Sequence, residues 1–146
     1  MTDQPFIRIS DLHKSFGDLR VLRGIDLDIA RGESLVIIGS SGTGKSVLIK
    51  HVIGLLAPDE GDLMVDGSSV PGLGREALSK LRRRMGMLFQ YAALFDSMNV
   101  GDNVAFALRQ QRDWPETRVQ ERVREVLGWV GLKGIEDKVP AELSGG

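Results

Sequence analysis

The chain has 146 residues, enough for one packed domain and too few for two comfortable ones. Its hydrophobic content of 42% and charged content of 27% are ordinary for a soluble globular protein. A net charge of −1 gives no overall attraction to nucleic acid, and the lack of cysteine excludes disulfides, thiolate metal sites and cysteine nucleophiles. The N-terminus lacks the pattern of a secretory signal, and no apolar run is long enough to span a bilayer. We therefore expect a cytoplasmic protein.

Apolar and polar residues alternate near the N-terminus, which predicts a small antiparallel sheet. Ile7 and Ile9 begin one strand, and Ile25, Leu27 and Ile29 continue another with a period of two. Further along, the apolar stretch 63–65 and the turn pair Asp66-Gly67 predict another hairpin.

Two unbroken apolar runs, Ser34–Ile38 and Met85–Phe89, are typical of strands buried on both faces of a parallel sheet. The pattern between them predicts a helix from Lys45 to about Leu56, ended by Pro58, and a short helix over Arg75–Arg83.

The last third of the chain has helical spacing and is predicted to be helical from Asn99 to Glu142. Either Ser97 or Asn99 is suited to cap the first of these helices, and the second begins near Pro115. The apolar positions that define the two helices are Val100, Val104 and Leu108, and then Val119, Val123, Val126 and Val130.

The segment GSSGTGKS fits the pattern G-x-x-x-x-G-K-[ST] between an apolar run and a predicted helix. Its glycines let successive backbone N–H groups point at phosphate oxygens, and the helix that follows directs its positive end at the same charge. Lys45 is expected to bridge the β- and γ-phosphates of a nucleoside triphosphate, and the Ser46 hydroxyl to ligate Mg²⁺. The residues of the motif are Gly39, Ser40, Ser41, Gly42, Thr43, Gly44, Lys45 and Ser46.

The order of motifs along the chain resembles that of the ATP-binding cassette (ABC) family of transporter ATPases. Phe16-Gly17 comes first, then the phosphate loop, then Gln90 after an apolar run, and then LSGG at Leu143–Gly146. The resemblance implies an α/β P-loop NTPase fold with an N-terminal antiparallel β subdomain and a helical subdomain. It places a partial ATPase core at residues 1–98 and the helical subdomain at 99–146, with the C-terminal part of the cassette missing.

The family pattern implies roles for the matching residues. Phe16 would stack on adenine, although a core phenylalanine is the alternative. Gln90 would reach Mg²⁺ and the attacking water, as the catalytic and second metal-binding residue. The signature residues Ser144, Gly145 and Gly146 would contact the γ-phosphate of ATP bound to the opposite subunit.

Val47 departs from the family pattern. It stands where such cassettes usually carry Thr or Ser. Its backbone N–H remains available, but the lost hydroxyl contact would weaken binding by about 1 kcal/mol.

The Asp-Glu strand end and the switch histidine of such cassettes do not occur within these residues. We therefore expect the chain alone to bind ATP weakly and not to hydrolyse it. Steady phosphate release that a Lys45→Ala substitution abolishes would contradict this.

We also expect uncovered apolar faces at Val36–Ile38 and Met87–Phe89, and hence aggregation or a molten state rather than sharp cooperative unfolding.

The stretch FQYAALFDSMNVGDNVAFAL at Phe89–Leu108, together with GSSGTGKSVLIKHVIGLL, resembles the ATPase subunit of Mla-type phospholipid transporters. This resemblance implies a homodimer, transmembrane permease subunits, lipid-binding companion proteins and a position on the inner face of the cytoplasmic membrane. The apolar run Ala92–Phe95 would receive a permease helix, unless it is a buried loop. An amino-acid or other importer, a cassette protein acting in translation or DNA repair, and a non-catalytic nucleotide-binding fragment remain alternatives.

Overall fold

A computed structural model describes residues 4–90, 93–110 and 113–143. The chain divides into two compact units, Met1–Met87 and Leu88–Gly146. The subdomain boundary expected between residues 98 and 99 rests on the helical spacing of the sequence, and it stays a prediction.

The first unit is built on a four-stranded antiparallel sheet with the order β2-β1-β3-β4. This sheet confirms the antiparallel strands and the second hairpin predicted from the alternating pattern. The strands are β1 (Ile7–Phe16), β2 (Leu19–Ile29), β3 (Glu60–Val65) and β4 (Ser68–Ser69).

Two short helices, α1 (Lys45–Val52) and α2 (Arg75–Arg82), pack with the sheet around the core of the first unit. Helix α1 ends one turn before the predicted end at Leu56, because Gly54 has a φ of +66° that an α-helix does not accommodate. The buried core consists of Ile9, Leu12, Leu22, Leu48, Leu63, Val65, Val70 and Leu81.

Strand β1 contains a bulge around Asp11, where φ is +46° and the register shifts against both neighbouring strands. The Asp11 amide donates to Asp26 Oδ1 at 2.9 Å. On the other side the backbone of Gly61 comes so close that a Cβ atom there would lie 2.1 Å from the Asp11 carbonyl oxygen. Only glycine fits this close approach, so Gly61 fixes how β3 passes the bulge.

The two apolar runs Ser34–Ile38 and Met85–Phe89 are not strands, so that prediction was wrong. Neither run joins the four-stranded sheet. A buried parallel strand needs hydrogen-bonded neighbours and cover on both faces, and these runs have neither among the described residues. Most of their apolar side chains are exposed, as the sequence predicted: 77% for Val36, 90% for Ile38 and 94% for Leu88. Met85 is instead half-buried, because it packs against the core of the first unit.

The second unit is a helical pair, α3 (Val100–Arg109) and α4 (Glu116–Trp129), followed by a 3₁₀ turn at Pro140–Glu142. Its core consists of Val100, Ala105, Val119, Val123 and Leu127. Of the two candidate caps, Asn99 is the one used, since its Oδ1 accepts from the Asp102 amide at 2.7 Å.

The expectation that the chain is helical from Asn99 to Glu142 was too broad. Helix α4 ends at Trp129 because Gly131 and Gly134 have φ of +76° and +74°, and turns follow as far as Val139. Across the described ranges, no helix has both the length and the apolar character to cross a membrane.

Arg109 joins the end of α3 to the start of α4. Its Nη2 donates to Glu116 Oε1 at 2.6 Å, and its Nη1 donates to Asp102 Oδ1 at 2.7 Å. The hydrogen bond from Arg109 lowers the pKa of Glu116 below its usual value.

A Gly61→Ala substitution is expected to destabilise the first unit by at least ~2 kcal/mol, because the methyl group meets the Asp11 backbone at a positive φ. Gly67→Ala is the matched control. Gly67 also has a positive φ, but no atom lies within 4 Å of its Cβ position, so a cost of only ~1 kcal/mol is expected. Hydrogen exchange of the backbone amides in β1 and β3 measures the local stability of both variants. Equal exchange rates for the two variants would contradict the close approach.

An Arg109→Gln substitution is expected to raise the pKa of Glu116 toward its ordinary value of 4.5, because the charged donor is lost. The ion pair stabilises the fold at pH values above the ordinary pKa of 4.5. This contribution is lost as the pH falls through the lowered pKa of Glu116. Carbon NMR titration of the Glu116 carboxyl measures the shift. Arg122→Gln, which removes the partner of Glu125, is the control and should leave Glu116 unchanged.

Candidate functional site

The glycine-rich loop between Gly39 and Lys45 is curled rather than extended. Gly42 and Gly44 have φ of +83° and +92°, values that side-chain-bearing residues rarely adopt. The Thr43 hydroxyl donates to the Ser40 carbonyl oxygen at 2.9 Å and closes the bend from within. The loop therefore has the concave backbone that the sequence motif predicts.

The side chain of Lys45 crosses the loop and holds its first residues. Its Nζ donates to the carbonyl oxygens of Gly39 at 2.7 Å and Ser40 at 2.6 Å. Among the described residues, none accepts a hydrogen bond from the amides of residues 40–43. These amides are donors without protein partners, as an anion-binding nest requires.

Helix α1 begins directly after the loop and adds its positive end to the site. Gly44 occupies the N-cap position without a side-chain hydrogen bond, and no acidic residue lies in the first turn. The partial positive charge of the helix N-terminus is therefore not neutralised by a carboxylate in its own first turn. An anion at the loop gains from both the helix end and the Lys45 ammonium.

The loop is anchored on strand β2. A Cβ atom at Gly44 would lie 2.9 Å from Val21 Cγ1 and 3.1 Å from Leu22 Cδ2, so the start of α1 is in contact with the strand. Leu22 pairs with Lys14 in β1, and Phe16 lies two residues beyond Lys14, roughly 7 Å along the strand. The first unit thus brings Phe16 and the loop to the same end of the sheet.

Phe16 is the last residue of β1 and pairs with Leu19 across a turn at Gly17. Its side chain is 47% exposed, so it is not a core phenylalanine. Lys14 Nζ lies 5.7 Å from the centre of its ring. An exposed aromatic face at this position is available for stacking.

The other predicted site residues lie in α1, in the second unit or outside the described residues. Ser46 is exposed in the first turn of α1, and Val47 is half-buried against the core. Gln90 is exposed and belongs to the second unit. The signature residues Ser144, Gly145 and Gly146 lie outside the described residues, as does Ala92 of the apolar run.

Asp59 is a residue that sequence reasoning missed. Its carboxylate accepts from Lys14 Nζ at 2.7 Å and from the Ser15 amide at 2.6 Å, next to Phe16. The hydrogen bond from Lys14 lowers the pKa of Asp59. These partners are more than forty positions away in sequence, and no local pattern signals the contact.

Comparison with known proteins identifies the family. A profile described as "ABC transporter" matches residues 22–146. The chain therefore belongs to the ABC transporter family, and its fold is the mixed α/β P-loop fold of ABC ATPases with an antiparallel β subdomain.

Three curated relatives differ in the molecules for which they are named. The chain is 45% identical to Protein TRIGALACTOSYLDIACYLGLYCEROL 3, chloroplastic, of Arabidopsis thaliana, and to the probable ribonucleotide transport ATP-binding protein mkl of Mycobacterium leprae. It is 39% identical to the intermembrane phospholipid transport system ATP-binding protein MlaF of Escherichia coli K12. The alignments cover 96% of this chain in each case, and 40%, 40% and 52% of the respective relatives. The chain thus spans about two fifths of the length of the first two.

A solved structure has the same fold. It is the dimeric post-hydrolysis state of the ATP-binding cassette MJ0796 bound to ADP and Pi, with a TM-score of 0.86 and 26% identity. The match covers 94% of this chain and 63% of that one.

Proposed function

We propose that this chain is the nucleotide-binding part of an ABC transporter ATPase that uses ATP to drive transport. The observation that carries the proposal is the curled loop at Gly39–Lys45, whose free amides, lysine ammonium and helix N-terminus converge on one place. A triphosphate is the ligand with the charge and the number of acceptor oxygens to use all three.

The loop residues fit a nucleoside triphosphate with Mg²⁺. The amides of residues 40–43 would bind phosphate oxygens, and Lys45 would exchange its two carbonyl partners for the more negative oxygens of the β- and γ-phosphates. The exposed Ser46 hydroxyl would ligate Mg²⁺, which bound in this way neutralises phosphate charge. Val47 supplies a backbone N–H but no hydroxyl.

Other residues would bind the adenine base and act at the terminal phosphate of the nucleotide. Phe16 would stack its exposed ring on adenine. Gln90 would be the catalytic residue, orienting water beside the terminal phosphate and reaching Mg²⁺. Ser144, Gly145 and Gly146 would seal the ATP bound by a second copy, an arrangement supported by the dimeric state of the MJ0796 cassette.

For the transported molecule, we propose phospholipid. The MlaF relative is named for intermembrane phospholipid transport, and the Arabidopsis relative is named for a galactolipid. The mkl relative is named for ribonucleotide transport at the same 45% identity, so a cassette for another solute is the second candidate. A nucleotide-binding fragment without transport of its own is the third candidate.

A surface in the second unit suits attachment to a transmembrane permease. Leu94, Phe95 and Phe106 are exposed, and the two phenyl rings lie 4.8 Å apart. Asn103 holds this segment in place: its Oδ1 accepts from the Phe95 amide at 2.8 Å, and its Nδ2 donates to the Phe95 carbonyl oxygen at 3.1 Å. Apolar side chains kept at the surface by such bonds are typical of a protein interface. The permease would hold the chain at the inner face of the cytoplasmic membrane, with lipid-binding proteins as further companions.

A Lys45→Ala substitution is expected to weaken ATP binding by roughly tenfold or more, because a charge-assisted hydrogen bond to phosphate is lost. Isothermal titration with MgATP measures the affinity. Lys50→Ala removes the same charge from the same helix outside the loop and is expected to bind like the wild type. Absence of ATP binding in the wild-type chain, or equal affinity in Lys45→Ala, would overturn the proposal.

A Phe95→Ser substitution is expected to move the protein from the membrane fraction of its host cell to the soluble fraction, because the permease contact is lost. Trp129→Ser, which removes another exposed aromatic side chain, is the control and should stay with the membrane. ATP binding should be unchanged in both. An unchanged membrane fraction for Phe95→Ser would contradict the role of this surface.

A further inference from the structure

Asp59 ties together the part of β1 that leads into Phe16. It lies immediately before β3, and its own amide donates to the His13 carbonyl oxygen at 3.0 Å. Its Oδ2 accepts from the Ser15 amide at 2.6 Å, and its Oδ1 accepts from Lys14 Nζ at 2.7 Å. One residue therefore bonds to three consecutive residues of β1.

The carboxylate continues the sheet beyond the last strand pair. The ladder between β1 and β3 ends at His13 and Glu60, so the Ser15 amide has no strand partner on that side. On the β2 side the register shifts between Lys14 and Ser15. Strand β2 still holds the end of β1 through the pairs Ser15–Arg20 and Phe16–Leu19, and on the open side Asp59 supplies the acceptor that a neighbouring strand normally provides.

The second contact of Asp59 reaches the Phe16 ring through Lys14. The ammonium lies 5.7 Å from the ring centre, and the carboxylate holds it there. Asp59 thus constrains both the backbone directly before Phe16 and the cation beside its ring. An aspartate is ionised at neutral pH in any case, and the hydrogen bond from Lys14 lowers the pKa of Asp59 further.

We propose that Asp59 is a positioning residue for base recognition, which sets the orientation of the Phe16 ring and thereby favours a nucleotide over a bare polyphosphate. The inference rests on the proposed nucleotide site. It assigns Asp59 no contact with the ligand, and it separates two parts of the site: the loop binds phosphate, and the Asp59–Lys14–Phe16 cluster binds the base.

The test compares two ligands, MgATP and magnesium tripolyphosphate, on the purified chain by isothermal titration. Wild-type protein is expected to bind ATP more tightly. Asp59→Asn is expected to lose roughly three- to tenfold in ATP affinity, the range of one aromatic stacking contact, and to bind tripolyphosphate unchanged. The asparagine amide cannot serve both donors as the carboxylate does, and unchanged tripolyphosphate binding shows that the variant is folded.

Asp62→Asn is the matched control. Asp62 lies in β3 and accepts from the Ser69 hydroxyl at 2.9 Å. It pairs with Ser10 of β1 and not with a residue of the Asp59–Lys14–Phe16 cluster. It should bind both ligands like the wild type. Lys14→Met provides a second variant that keeps the Ser15 bond, and it is expected to reduce the preference for ATP less than Asp59→Asn does.

A double mutant decides whether Asp59 acts through Phe16. Phe16→Ala with Asp59→Asn should bind ATP no more weakly than Phe16→Ala alone, because the second change then has nothing to position. Additive losses, an unchanged preference in Asp59→Asn, or an equal loss for both ligands would overturn the inference while leaving the phosphate site intact. Failure of the wild type to bind either ligand would instead overturn the proposed function, and with it the inference.

Discussion

One ammonium group organises the site from which the function follows. Lys45 donates to two carbonyl oxygens at the start of the loop, which turns the intervening peptide units so that their amides remain free. Under the proposed function the same charge would bind an anionic ligand, because a phosphate oxygen is a stronger acceptor than a neutral carbonyl. The loop would then be preorganised by the group that binds the ligand, and less order would have to be gained on binding.

The rest of the first unit provides a base for this loop. Gly44 brings the start of α1 against Val21 and Leu22, and β2 carries that contact across to the end of β1. Gly61 and the bulge at Asp11 set the path of β3, from whose preceding residue the Asp59 carboxylate reaches Lys14 and Ser15. One small sheet therefore holds both the glycine-rich loop and the Phe16 ring.

Local patterns predicted the features that depend on local physics. Glycine and lysine spacing predicted the curled loop, alternation predicted the antiparallel strands, and an asparagine before an apolar helix predicted a cap. The apolar runs at residues 34–38 and 85–89 were misread as strands because hydrophobicity indicates burial only when neighbouring strands exist to receive it. Asp59 and Asn103 escaped notice because their roles arise from contacts formed only in the folded chain.

Side-chain hydrogen bonds hold α3 to its neighbours at Asn103 and at Arg109, and this has a mechanical consequence. Asn103 ties the Phe95 segment to the body of the helix, and Arg109 clamps the far end to Glu116 at the beginning of α4. A displacement applied at Phe95 would therefore pass from Asn103 to Arg109 along about 9 Å of helix, instead of being absorbed by a loose joint. The helical pair would then move as one body when Phe95 and Phe106 are displaced.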